Sequence, residues 1–266
     1  MPKYIDIAVN LIGSSLEKDS QHIIQTAIEQ HVSPLIIIGS DLTESHKAIS
    51  LCQDYPKQLF CTAGVHPHQA SQWQIGSLEQ LSALSAHSPV VAIGECGLDY
   101  NRDFSPRNKQ RQAFEAQLAL AASLKLPVLM HERDAHDDFL AILKAYRTDL
   151  NGALLHCFTG NRKSLDAYLK LDLHLGITGW VCDERRGKEL AELVVDIPND
   201  RILIETDSPY LLPRTLRPKP KSSQNKPEYL PHIAQYIATL RGQDSVEFTH
   251  HVYQNSLRFF NLDGRV

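Results

Sequence analysis

The feature that most constrains this chain is a rhythm. Eight short, β-branched, apolar runs recur from one end to the other, each separated from the next by a longer, more polar segment. The runs are YIDIAVNL from Tyr4, PLIIIGS from Pro34, FCTAGVHP from Phe60, VVAIGECGLD from Val90, PVLMHERD from Pro127, GALLHCFTG from Gly152, HLGITGWV from His174 and RILIETDSP from Arg201. Between them, segments such as LEKDSQHIIQTAIEQH, TESHKAISLCQDY and PRNKQRQAFEAQLALAASLKL carry apolar residues at three- and four-residue spacing, which predicts helices. The last opens with Pro106, expected in the first helical turn. Strands alternating with helices imply parallel pairing through right-handed crossovers.

Eight such units in 266 residues are the arithmetic of an α/β (β/α)8 TIM barrel. A doubly wound sheet would more often show about five or six strands and a glycine-rich fingerprint, and neither GxGxxG nor GxxxxGK[ST] occurs. The stretch from Pro227 to Leu262 reads as two further helices, and RTLRPKPKSSQNKP reads as a long loop after the eighth strand. One TIM-barrel domain over 1–266 with extra C-terminal helices is therefore expected.

Composition narrows the function classes. Lys and Arg total 27 against 31 Asp and Glu, a net charge of -4, so no global basic field attracts nucleic acid or acidic lipid and any polyanion site must be local. The five cysteines are scattered and never form CxxC, which argues against a disulfide framework or zinc ribbon and for a reducing compartment. No apolar run approaches the ~20 residues that span a bilayer, and no basic n-region precedes an apolar h-region. A cytoplasmic protein without membrane contact is expected.

Catalytic groups of a barrel gather at the C-terminal ends of its strands. Here those ends carry His66 and His68 on strand three, Glu95 on four, His131 on five, His156 on six and Asp207 on eight. His22, His31, His46, His87, His136, His232, His250 and His251 fall on predicted helices or their ends, and His174 begins a strand, so these nine read as ordinary surface or structural imidazoles. His131 and His156 directly follow the apolar triplets VLM and ALL, which hold them on a buried scaffold. With Glu95 and Asp207 they suit a divalent metal such as Zn, Mn, Fe or Mg. Asp207 can ligate or accept a proton from water; the sequence leaves both roles open. Gly64, Gly94, Gly97, Gly160, Gly176 and Gly179 read as tight strand-to-loop turns.

Around these ends, Arg133 follows His131 by two residues, and the loop after strand eight supplies Arg214, Arg217, Lys219 and Lys221, with Lys226 beyond. A basic rim beside a metal suits a phosphodiester. Tyr100, Phe158, Trp180 and Tyr210 follow strand ends and are candidates to stack bases. In the first strand, Asp6, Ala8 and Asn10 share the inward face.

AGVHPH (63–68), AIGECGLDYNRDFSP (92–106), MHERDAH (130–136), LHCFTG (155–160), GITGWVCDERRG (176–187) and IETDSPYLLPR (204–214) together resemble the TatD-type metal-dependent deoxyribonucleases over nearly the whole chain. The resemblance implies a metal-dependent hydrolase barrel cleaving phosphodiester bonds, with magnesium the expected metal and Mn2+ or Zn2+ as alternatives. It implies Glu95, His131 and His156 as metal ligands, Asp207 as a further ligand or general base, and His66 next to the scissile phosphate. His68, Arg133, Asn10 and Arg214 are expected to bind substrate. The implied substrate is single-stranded DNA or RNA, cleaved as a 3′–5′ exonuclease, with a role in DNA repair. A monomer is expected. Many relatives carry D-x-H-x-H on strand one, where this chain has Asp6, Ala8 and Asn10. One well-bound metal is therefore expected, a second arriving only with substrate. Two other readings remain: a hydrolase of a small amide, lactone or phosphoester, because barrels change substrate through their loops, and a non-catalytic nucleic-acid-binding protein.

Overall fold

The computed structural model describes residues 2–266. The eight runs become eight strands: β1 (Tyr4–Val9), β2 (Val32–Ile37), β3 (Leu59–Ala63), β4 (Val90–Asp99), β5 (Val128–Arg133), β6 (Ala153–Leu155), β7 (His174–Ile177) and β8 (Ile202–Ile204). They form one sheet whose spatial order is chain order, as a (β/α)8 barrel requires. The helices are α1 (Ser20–Glu29), α2 (Leu42–Asp54), α3 (Ser77–Ser85), α4 (Arg107–Leu124), α5 (His136–Tyr146), α6 (Arg162–Lys170), α7 (Lys188–Leu193), α8 (Leu230–Leu240) and α9 (Ser245–Phe259). The last two are the pair expected between Pro227 and Leu262. No helix among the described residues is long and apolar enough to cross a membrane.

Local chemistry sets the boundaries. Asp41, Asn161 and Asp244 accept main-chain N–H bonds at the starts of α2, α6 and α9, satisfying donors that a helix's first turn leaves open. Pro106 stands one residue outside α4, in extended backbone, rather than within its first turn. That fits a residue that has no backbone N–H to offer and whose ring fixes φ near the observed −54°. Lys125, at φ 54°, ends the same helix in the left-handed region.

The chain divides into two compact units, one running to Ile37 and resuming at Cys157, the other Ile38–His156. In the first, β1 pairs with β2 and β7 with β8, both parallel, and Val9 bridges Ser208 so that β1 also meets the end of β8. In the second, β3, β4, β5 and β6 pair successively in parallel. Their strands are almost wholly apolar and buried, as expected when helices cover parallel strands.

Two glycines have a different job from the turns expected of them. Gly94 and Gly97 lie inside β4 at φ 132° and 138°. A Cβ there would stand 2.1 Å from the Leu129 carbonyl oxygen and 1.9 Å from that of His131. These positions let β4 press against β5 where the pairing register shifts between Ile93 and Cys96.

Candidate metal centre

In the unit containing β3 to β6, one carboxylate oxygen is the hub. Glu95 Oε1 lies 2.7 Å from His156 Nε2, 3.2 Å from His66 Nε2 and 3.3 Å from His131 Nδ1. Four residues on, with the same strand face repeating every second residue, Asp99 Oδ2 sits 2.7 Å from His68 Nε2 and 3.4 Å from His131 Nε2. His131 thus stands between two carboxylates of one strand. Sequence reasoning passed over Asp99; the signal was its even spacing from Glu95 at the end of the longest strand.

The scaffold beneath these groups is hydrogen-bonded at each point. Main-chain N–H groups of His66 and Glu95 donate to the carbonyls of Ser40 and Gly39, and His156 N donates to Met130 O. Two buried glutamines of α4 grip the backbone from behind. Gln117 Oε1 accepts from Val65 N at 2.8 Å while its Nε2 donates to Val65 O at 3.0 Å, one residue from His66. Gln110 does the same to Asp99, at 2.8 and 3.2 Å. Asp99 Oδ1 further accepts from the main-chain N–H groups of Asn101 and Arg102.

These contacts fix the charges. Burial pushes the Glu95 carboxyl up, but His156, His66 and His131 outweigh it and hold it well below the ordinary carboxylate range. Burial likewise works against the Asp99 charge, and bonds from His131, His68 and Arg102 N overcome it, keeping Asp99 ionised. Burial lowers His66, with Glu95 opposing, which leaves its nitrogen lone pair available. His131 is also disfavoured by burial, yet its bonds to Asp99 and Glu95 raise it. Ligand atoms of His66, Glu95 and His131 all lie within 4.8 Å of one another. An ionised carboxylate with imidazole nitrogens at this separation fits a divalent cation.

In the other unit, Asn10 Nδ2 donates to Asp207 Oδ1 at 2.9 Å, Asn10 N donates to Ser208 O, and Asp207 N donates to Ala8 O. Asp207 itself is in the left-handed region at φ 54°. Below it, fully buried Asp6 accepts from Thr206 N and Thr206 Oγ1 and from Ala8 N. Glu205, also buried and absent from the sequence-derived set, accepts from Cys157 N and fills the space left by the missing side chain of Gly176.

The expected rim is partly committed elsewhere. Arg133 is exposed at the end of β5. Arg214 donates to Glu184 Oε1 at 3.3 Å, and Arg217 turns back onto the carbonyls of Arg214 and Leu216. Among the aromatics proposed for stacking, Phe158 is buried against Tyr168 and Gly160 and is a packing residue, because its ring closes the turn after β6. Tyr100 carries the Arg107 guanidinium over its ring and bonds Asp138 and Arg111. Trp180 lies under Arg186, and Tyr210 is exposed.

A strand-alternating α/β chain with a carboxylate and histidines converging at its strand ends is a metal-dependent hydrolase of the TIM-barrel kind. Residues 5–261 match the TatD-related DNase family. The chain belongs to that family. It is 51% identical over 257 residues to the 3′–5′ ssDNA/RNA exonuclease TatD of Pectobacterium parmentieri, covering 97% of this chain and 99% of the relative. It is also 51% identical over 239 residues to the protein of that name from Salmonella typhimurium, covering 90% and 92%. The structure is similar to that of a TatD homologue from Escherichia coli, with a TM-score of 0.87 at 25% identity over 97% of this chain and 98% of the other. A TatD-family hydrolase from Entamoeba histolytica gives 0.87 at 28% identity over the same shares. The (β/α)8 fold and a hydrolase acting on phosphodiester bonds follow.

Proposed function

We propose that this protein is a metal-dependent 3′–5′ exonuclease acting on single-stranded DNA and RNA. The observation that carries the reading is the Glu95 hub, a buried carboxylate kept ionised by three imidazoles. A divalent cation, magnesium in the cell, supplies Lewis acidity toward a phosphodiester oxygen and eases loss of a proton from water. Glu95, His131 and His66, whose ligand atoms lie within 4.8 Å of one another, are proposed as its ligands, with His156, at 2.7 Å from Glu95 Oε1, as a further one. Asp99 accepts from the His68 ring at 2.7 Å and faces the His131 ring at 3.4 Å, which steadies both. Asp207, its carboxylate oriented by the Asn10 amide, is proposed as a further ligand or as the base that removes the proton. His68, Arg133 and Arg214 are the proposed phosphate contacts. Asn10 spends one amide hydrogen on Asp207 and keeps the other for substrate.

The proposal includes a monomer in the cytoplasm and a role in DNA repair. The scattered cysteines, none of them in CxxC, support the compartment. The test is cleavage of 3′- and 5′-labelled single-stranded oligonucleotides after chelation and again after adding back Mg2+, Mn2+ or Zn2+, beside a panel of small esters and amides. Metal-restored shortening from the 3′ end is expected. Cleavage that persists in chelator, or turnover confined to the small substrates, would refute it.

A further inference from the structure

One aromatic ring near the Glu95 hub is mostly exposed. Phe104, in the loop between β4 and α4, is 67% exposed. Among the described residues of the 38–156 unit, the exposed large apolar side chains are Ile75, Leu78, Phe104 and Leu124, and only Phe104 is aromatic. Its ring meets the edge of His68 at a centroid separation of 4.8 Å and 66°. The His68 ring in turn meets His66 at 4.3 Å, and His66 Nε2 is the Glu95 neighbour already described. Phe104 therefore connects to the hub through two histidine rings, His68 and His66, while two thirds of it stays exposed.

The ring is not on a loose tether. Asp103 N donates to Asp99 O on one side of it. On the other, buried Ser105 donates from Oγ to His68 O at 2.8 Å, accepts from Ser71 N at 2.9 Å, and its carbonyl accepts from Gln110 Nε2 at 2.9 Å. A loop pinned at both flanking residues holds an apolar face in solvent, and the side chain has few rotamers to lose on binding. Tyr100 and Phe158 cannot serve instead, being covered by Arg107 and by the interior respectively.

From this we infer that Phe104 is the stacking platform for a nucleobase of the strand being cut, acting next to the metal centre without reading base identity, since every base offers a π-face. The inference rests on the nuclease reading above and adds to it the group that recognises substrate as a nucleic acid rather than as a bare phosphodiester.

The test compares two single-stranded substrates that differ only at the 3′ end, one with its terminal base and one with an abasic terminal nucleotide. It uses the wild-type full chain, Phe104→Ala and Phe104→Trp. The readout is the ratio of kcat/KM for the based to the abasic end. Stacking of this kind gives about 5- to 150-fold, so the wild-type ratio is expected in that range, to collapse toward unity in Phe104→Ala and to return in Phe104→Trp. Thermal unfolding of the alanine variant, which truncates an exposed ring, controls for folding. A ratio unchanged by Phe104→Ala overturns the platform while leaving the nuclease intact. Failure of the wild-type protein to cut either oligonucleotide with any of the metals overturns both.

Discussion

Replacing Asp6 by Asn is expected to flatten the pH dependence of stability. Asp6 is wholly buried on β1, and burial pushes its carboxyl from the usual 3.8 up to about 8, the Thr206 bonds opposing and the Glu205 charge adding to the rise. Between those two values the folded protein holds a proton that the unfolded chain has lost. The folded state binds more protons there, so stability falls as pH rises, by ~1.4 kcal/mol per pH unit. The loss reaches on the order of 6 kcal/mol by pH 8 and is level above it. Asn resembles the neutral carboxyl: its oxygen still accepts from Ala8 N and Thr206 N, and its amide N–H faces Thr206 Oγ1, which can turn its own hydroxyl to Ser208 Oγ. Urea denaturation from about pH 5 to 9, followed by Trp73 and Trp180 fluorescence, measures the difference between the two proteins. That difference should widen steadily in favour of the variant up to pH 8. A difference constant across the range would refute the buried-proton argument. Because Trp73 and Trp180 belong to different compact units, a single transition reported by both would also support the proposed one-domain organisation.

Asp99→Asn removes the charge that steadies His68 and His131, and calorimetric titration with Mn2+ should give an affinity about 10- to 100-fold weaker; unchanged binding would deny Asp99 its positioning role. Gln117→Leu strands the N–H and C=O of Val65 in the interior, at about 1–3 kcal/mol for each group, read as a lower urea midpoint. Asn10→Ala removes a hydrogen bond to a charged acceptor, worth about 1.5–3 kcal/mol. If orienting Asp207 matters to the reaction, kcat falls roughly 10- to 150-fold with KM little changed, and an unaltered kcat would count against it.

The barrel was legible because its information is periodic. Each strand carries a short apolar run, broken only by a few polar groups such as Asp6 and Glu95 or ended by them, and a parallel strand covered by helices needs little else. Strand-end residues could be listed for the same reason, and His66, His68, Glu95, His131 and His156 do come together. What escaped depends on contacts between distant segments. Asp99 looked like one acid among many until His68 and His131 closed on it. Gln110 and Gln117 looked like polar helix residues until their amides met the backbone of Asp99 and Val65. The contact of Arg214 with Glu184 was not legible either, because Glu184 lies 30 residues earlier in the chain. Gly94 and Gly97 carry no mark that distinguishes a turn from two backbones pressed together; only the neighbouring carbonyls of Leu129 and His131 decide it.

The attachment of β1 to β8 bears on how the protein is made. Asn10 and Asp6 find their partners 197 and 200 residues later. At about 5–20 residues per second, a ribosome needs roughly 10 to 40 s to deliver Asp207 after Asn10. Until then Asp6 lacks both of its Thr206 partners and has only Ala8 N and water to satisfy its carboxyl. The solvated Asp6 works against premature burial of β1, and the arrival of Thr206 removes the obstacle. A residue that lowers the stability of the finished protein at neutral pH is thus one whose partners are among the last of its strand to be made.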